Sequence, residues 1–116
     1  MVVTFNDIPE FSNEGSNNFS MTLFANGNID FNYFGMTALD AIVGLSPGGG
    51  LGSPGTAVDF SANLVQPLPG LGDQAIYEAF DGNFDLDGLR ISFVPAPGAL
   101  ALLGLAGLVS RRRRRA

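Results

Sequence analysis

Asp81-Gly82-Asn83-Phe84-Asp85-Leu86-Asp87-Gly88 is the densest run of potential metal ligands in this chain of 116 residues. Asp81, Asn83, Asp85 and Asp87 offer a side-chain oxygen at every second position, which suits a hard cation such as calcium. Neither frame makes an EF-hand. Counted from Asp81, the sixth residue is Leu86, where such a loop needs glycine; counted from Asn83, Gly88 fits but the twelfth residue is Val94 rather than a bidentate glutamate. An ordinary Asx-rich turn between two strands uses the same residue types. Both readings stay open, and calcium, where it binds at all, is expected here.

Other chemistry is thinner. Cysteine, histidine and lysine are all absent, which removes thiolate sites, imidazole bases and ligands, and Schiff-base chemistry. Gly50-Leu51-Gly52-Ser53-Pro54-Gly55 matches G-x-G-x-x-G in form. A dinucleotide site needs backbone amides at a strand-to-helix turn, but Pro54 removes an amide and no helix-forming run follows. It reads as a loop. Asn18-Phe19-Ser20 matches a glycosylation sequon by chance, and no motif pairs any two of the eleven acids for glycoside hydrolysis. The chain is expected to be non-enzymatic, with no cofactor other than the calcium considered above.

The elements that would position these residues are strands. Gly, Asn, Asp, Ser and Pro are abundant and helix formers such as Glu, Lys and Gln are few, so the body is expected to be all-β and rich in turns. Phe19, Met21 and Leu23 alternate with Ser20 and Thr22, and Ile29, Phe31 and Tyr33 alternate with Asp30 and Asn32. Asn26-Gly27 lies between the two runs, which predicts a hairpin with a type I′ turn, one face buried and the other wet. Further strands are expected at Val2 to Phe5, Ala41 to Ser46, Val58 to Val65, Ile76 to Phe80 and Leu89 to Val94. Gln66 to Asp73 reads as a loop, and the acidic stretch from Asp81 to Gly88 as the turn joining the last two strands. Six or seven short strands at this spacing suggest a small sandwich-like or meander body over residues 1–93. Its core is marginal for its size, and no disulfide supplements it.

Charge divides the chain unevenly. Residues 1–110 hold eleven acids and one base, Arg90, a net charge of −10; Arg111, Arg112, Arg113, Arg114 and Arg115 bring the total to −5. An acidic body repels nucleic acid, and five arginines without aromatic partners make a weak site, so no nucleic-acid partner is expected. From Phe93 to Val109 no side chain is charged or polar, and Gly98 to Val109 can form one unbroken helix, apolar on every side. Twelve residues of helix span about 18 Å against a hydrocarbon core of about 30 Å, so a membrane span here needs arginine snorkelling or local thinning. Arginines flanking a span stay cytoplasmic, which leaves the body outside. The competing reading is a core helix with a solvated basic end.

The order of Val94-Pro95-Ala96-Pro97, apolar run and arginine cluster resembles the bacterial PEP-CTERM sorting signal, also termed the ice-binding-protein C-terminal motif. That resemblance implies a segment, residues 94–116, that partitions into membrane lipid and is recognised and processed by a membrane-embedded exosortase-type sorting protease. The protein is then delivered to the cell surface or extracellular matrix. Ala96 stands where the family usually has glutamate, so processing follows less directly from the resemblance than insertion does. In the body, VTFNDIPEF, NFSMTLFANGNIDFNYF and AIVGLSPGG are similar to part of a nidogen-like extracellular domain, with Phe5 in place of an expected tryptophan. This implies a structural or adhesive module, with extracellular polysaccharide as one possible ligand. The opening MVVTFNDIPEF lacks the basic start, long apolar run and cleavage site of a signal peptide. The expectation is therefore a truncated N-terminus or a displaced start.

Overall fold

The computed structural model describes residues 1–48, 55–70 and 72–95. Eight strands form in chain order: β1 (Val2–Ile8), β2 (Asn17–Leu23), β3 (Ile29–Tyr33), β4 (Asp40–Leu45), β5 (Thr56–Ala57), β6 (Val65–Pro67), β7 (Ile76–Asp81) and β8 (Arg90–Val94). They make two sheets, one in the order β1-β2-β3-β8-β6 and the other β4-β7-β5. The body is thus all-β, and among the described residues no helix is long and apolar enough to cross a membrane. The apolar run from Gly98 to Val109 lies outside the described residues.

Alternation places the hairpin as expected. In β2 and β3, Phe19 pairs with Tyr33, Met21 with Phe31 and Leu23 with Ile29. Its turn differs from the expected type I′. Gly27 N donates to Phe24 O at 3.0 Å and Phe24 N to Asn28 O at 3.0 Å, so the loop has three residues, Ala25 to Gly27. Asn26 keeps a negative φ while Gly27 takes φ 92°. This is a turn closed by a glycine bulge, in which only the third residue needs the left-handed region. The Asn26 side chain stabilises it by accepting from Asn28 N at 3.0 Å. The outer face is also drier than alternation predicts. Asp30 is only 8% exposed, flanked by Thr22 and Ser92 on the neighbouring strands, with Arg90 3.9 Å away.

Two other expectations fail for identifiable reasons. Val58 to Val65 is not a strand: β5 ends at Ala57 and β6 begins at Val65. Between them the Asp59 carboxylate accepts from Ser61 N (3.0 Å) and Ala62 N (3.3 Å), a local turn that competes with ladder pairing. Gln66 and Pro67, expected in a loop, belong to β6, a three-residue edge strand parallel to β8 where a proline is tolerated. Asp81 to Gly88 is more than a turn. It crosses from one sheet to the other, since β7 and β8 lie in different sheets. Phe84 and Leu86 are buried along it and pin the crossing to the core.

The core is largely aromatic. Phe60, Leu86, Ile91 and Phe93 are fully buried, and Tyr33, Val43, Phe80 and Phe84 join them. Edge-on contacts tie it together: Phe60 to Phe93 at 5.6 Å and Tyr33 to Phe84 at 5.1 Å reach from the larger sheet to the turn after β5 and to the crossing, and Phe31 to Phe93 at 5.1 Å joins neighbouring strands of the larger sheet. Burial raises the Tyr33 phenol above its ordinary pKa. At one end Asn17, 5% exposed, ties three segments together. Its Oδ1 accepts from Thr37 N (3.0 Å) and Ala38 N (2.9 Å), and its Nδ2 donates to Ile8 O (2.9 Å).

Candidate functional site

The four oxygen-bearing residues of the acidic crossing go to different places. Asp81 ends β7 opposite Asp40, and Asn83 is exposed beyond Gly82. Asp87 points back to the loop after β3, where its Oδ1 accepts from Gly35 N (2.9 Å) and Met36 N (3.1 Å). That is the work of a loop anchor. Asp85 points the other way, into a cluster with Asp59 and Glu78 in which ligand oxygens of all three lie within 4.8 Å of one another.

Three separate segments build this cluster. Asp59 comes from the turn after β5, Glu78 from the middle of β7 and Asp85 from the crossing. Phe60 sets the turn's position: its ring is fully buried, and its N–H donates to Glu78 Oε2 at 2.8 Å. Ser61 sits between the outer carboxylates, with its Oγ 2.6 Å from Asp59 Oδ1 and 3.2 Å from Asp85 Oδ2. Glu78 occupies the parity of Ile76 and Phe80, the inward face of β7.

The electrostatics follow from this placement. Desolvation is the main cause that raises the Glu78 pKa; the Phe60 N–H opposes it, and Asp85 and Asp59 add to it. The Asp59 pKa is lowered, chiefly by the Ser61 hydroxyl and with help from the Ala62 and Ser61 amides. A cation among these oxygens would reverse the strain on Glu78, since an opposite charge favours the ionised carboxylate. Three carboxylates provide oxygen ligands of the type calcium takes, with room for backbone carbonyls or water to complete the shell.

Sequence reasoning picked out Asp85 but missed Asp59 and Glu78. The available signal for Glu78 was an acid at an inward position of a strand. For Asp59 no local signal existed, because its partners lie 19 and 26 positions further along the chain.

The remaining residues of interest divide by place. Val94 ends β8, where its carbonyl accepts from Leu68 N at 2.7 Å, and Pro95 follows beside the hairpin turn. Ala96, Pro97 and Arg111 to Arg115 lie outside the described residues, as does the glycine-rich loop apart from Gly55. The Asn18 amide nitrogen, the atom a glycan would take, donates to Gly35 O at 3.2 Å. No protein-family model, curated protein or solved structure matches this chain.

Proposed function

We propose that this protein is an exported, non-enzymatic β module of the cell surface or extracellular matrix, targeted by a C-terminal segment of PEP-CTERM type. The observation that carries the reading is the order of features from Val94 onward: a proline motif, an apolar run and five arginines. Gly98 to Val109 partitions into the bilayer, Arg111 to Arg115 stop transfer and hold the C-terminus in the cytoplasm, and Val94 to Pro97 meet the sorting protease. The β8 strand supports this order, because it ends at Val94 and delivers the chain to the motif without a linker. The acidic body, with Arg90 its single base, suits a surface-displayed module better than a nucleic-acid partner. The test is the cellular fate of a secreted reporter carrying residues 94–116 at its C-terminus, which this reading places in the membrane fraction.

A second reading rests on the Asp59–Glu78–Asp85 cluster: a calcium-dependent binding module, with extracellular polysaccharide as its ligand. At an extracellular-type Kd of about 0.3 mM, calcium at about 3 mM stabilises the fold by about 1.4 kcal/mol. That corresponds to a rise of roughly 5–10 °C in Tm for a body of this size. The change Glu78→Gln keeps an acceptor for Phe60 N but removes the charge, and is expected to abolish the calcium response. Without calcium the same change has a pH signature. Because the Glu78 pKa is raised in the fold, its contribution to stability is present below its unfolded value and is lost as pH rises through the folded value. Glu78→Gln is therefore expected to raise Tm slightly at pH 7 and to leave it unchanged at pH 3. Equal calcium responses in the two proteins would remove this reading.

A further inference from the structure

The sandwich is open on one side. The larger sheet has two more strands than the smaller, and on this side its strands β1 to β3 face β4, an edge strand. A cleft of about 380 Å³ results, with Phe5, Phe19, Met21 and Phe31 on one wall and Ala41 and Val43 on the other. Among the described residues no strand pairs with the outer edge of β4. The cleft is charged at one end only, where Glu10 and Asp40 line it. No lysine or arginine precedes Arg90 in the chain to offset them. Its occupant should be apolar along its length and positively charged at that end.

We propose that the cleft is the docking site of this chain's own residues 98–115 while they are in water, with the arginines directed at Glu10 and Asp40. The path is set by β8. Its pairing of Phe93 with Ile29 brings the chain out at the hairpin-turn end, with Pro95 Cγ 3.3 Å from the place a Cβ on Gly27 would occupy. That is the uncharged end of the cleft, near Leu45. A segment returning from there meets the apolar walls first and the acids last, in the order of its own sequence, apolar run and then arginines. Length is adequate in either conformation: six residues of β4 extend about 20 Å, and twelve residues span about 18 Å as helix or about 40 Å extended. Tethering supplies an effective concentration of order millimolar. The body of a second copy, with its net charge of −10, is repelled from the same acids. This inference goes beyond the sorting reading: the same segment has two destinations, cleft and bilayer, which compete for it.

The absence of cysteine makes the test clean. In the full chain, Met21→Cys combined with Leu103→Cys puts one thiol on the cleft wall and one in the apolar run. Ala62→Cys with Leu103→Cys is the control, on an exposed turn outside the cleft. With oxidised glutathione as oxidant, the first pair is expected to form an intramolecular disulfide about tenfold faster in buffer, and Glu10→Lys with Asp40→Lys to slow it several-fold. Vesicles of phosphatidylcholine and phosphatidylglycerol are expected to draw the segment away and slow it too. Equal rates for the two pairs, or disulfides mainly between tagged and untagged chains, overturn the proposal. Equal rates together with flotation on vesicles leave the membrane reading standing. A fast disulfide that vesicles do not slow, with no flotation, keeps the docking site and removes the anchor.

Discussion

Replacing Asn17 with alanine is expected to destabilise the body by about 3 kcal/mol, a third or more of what a domain of this size has to lose. The change strands the Thr37 and Ala38 amides and the Ile8 carbonyl at the end of the sandwich, where one side chain now serves all three. The Ala38 amide is buried and the other two bonds are half-buried, so each group left without a partner costs about 1 kcal/mol. The melting temperature should fall by more than about 10 °C. Asn17→Asp separates the contributions, because it keeps an oxygen for the two amides and loses the donor to Ile8; about half the effect is expected. A fall of under about 2 °C for alanine would show that these bonds are readily replaced by water.

Gly44→Ala is expected to cost on the order of 2–4 kcal/mol, for a different reason. Gly44 has no left-handed backbone angle, so conformational freedom is not the issue. Space is. A Cβ there would collide with the Ile76 carbonyl oxygen and lie 2.9 Å from Tyr77 Cβ, and these belong to the β7 backbone and its first side-chain atom. Neither can swing aside without opening the β4–β7 ladder, in which Gly44 pairs with Tyr77. Gly48 provides the contrast: a Cβ there meets nothing within 4 Å, but the backbone has φ 80°. Gly48→Ala is expected to cost only about 1 kcal/mol, through strain alone. Urea denaturation of the two variants compares them directly, and similar costs would mean that β4 does not need the close approach.

What could be seen in advance followed the range of each signal. The hairpin from Phe19 to Tyr33 was legible because alternation is local and both strands carry it. The register then followed, but the turn type did not, since Asn-Gly fits both a type I′ turn and a glycine bulge. The limits of β7 and β8 were close to those expected, yet their assignment to opposite sheets was hidden. Phe84 and Leu86, alternating through an otherwise polar stretch, were the available hint that Asp81 to Gly88 runs along the core. The β5 and β6 strands are too short for any period, and each is held by a parallel neighbour distant in sequence. The acidic cluster was invisible for the same reason: residues 59, 78 and 85 become neighbours only through the fold.

Placement also changes how the crossing is best understood. Four alternating oxygens suggested a single loop around one ion. Burial of Phe84 and Leu86 instead forces the polar residues outward, and Asp85 and Asp87 are taken up by different neighbours. Any calcium chemistry thus depends on Asp59 and Glu78 as much as on the crossing itself.

The most direct measurement of the central claim is fractionation of bacterial cells that make a secreted reporter ending in residues 94–116. The reporter is expected to sediment with membranes, with its body outside and its arginines cytoplasmic. Replacing Arg111 to Arg115 with glutamate should release it. In a host with an exosortase-type protease, Ala96→Glu should increase conversion to the processed form. A reporter that stays fully soluble, with or without the arginines, would contradict the account.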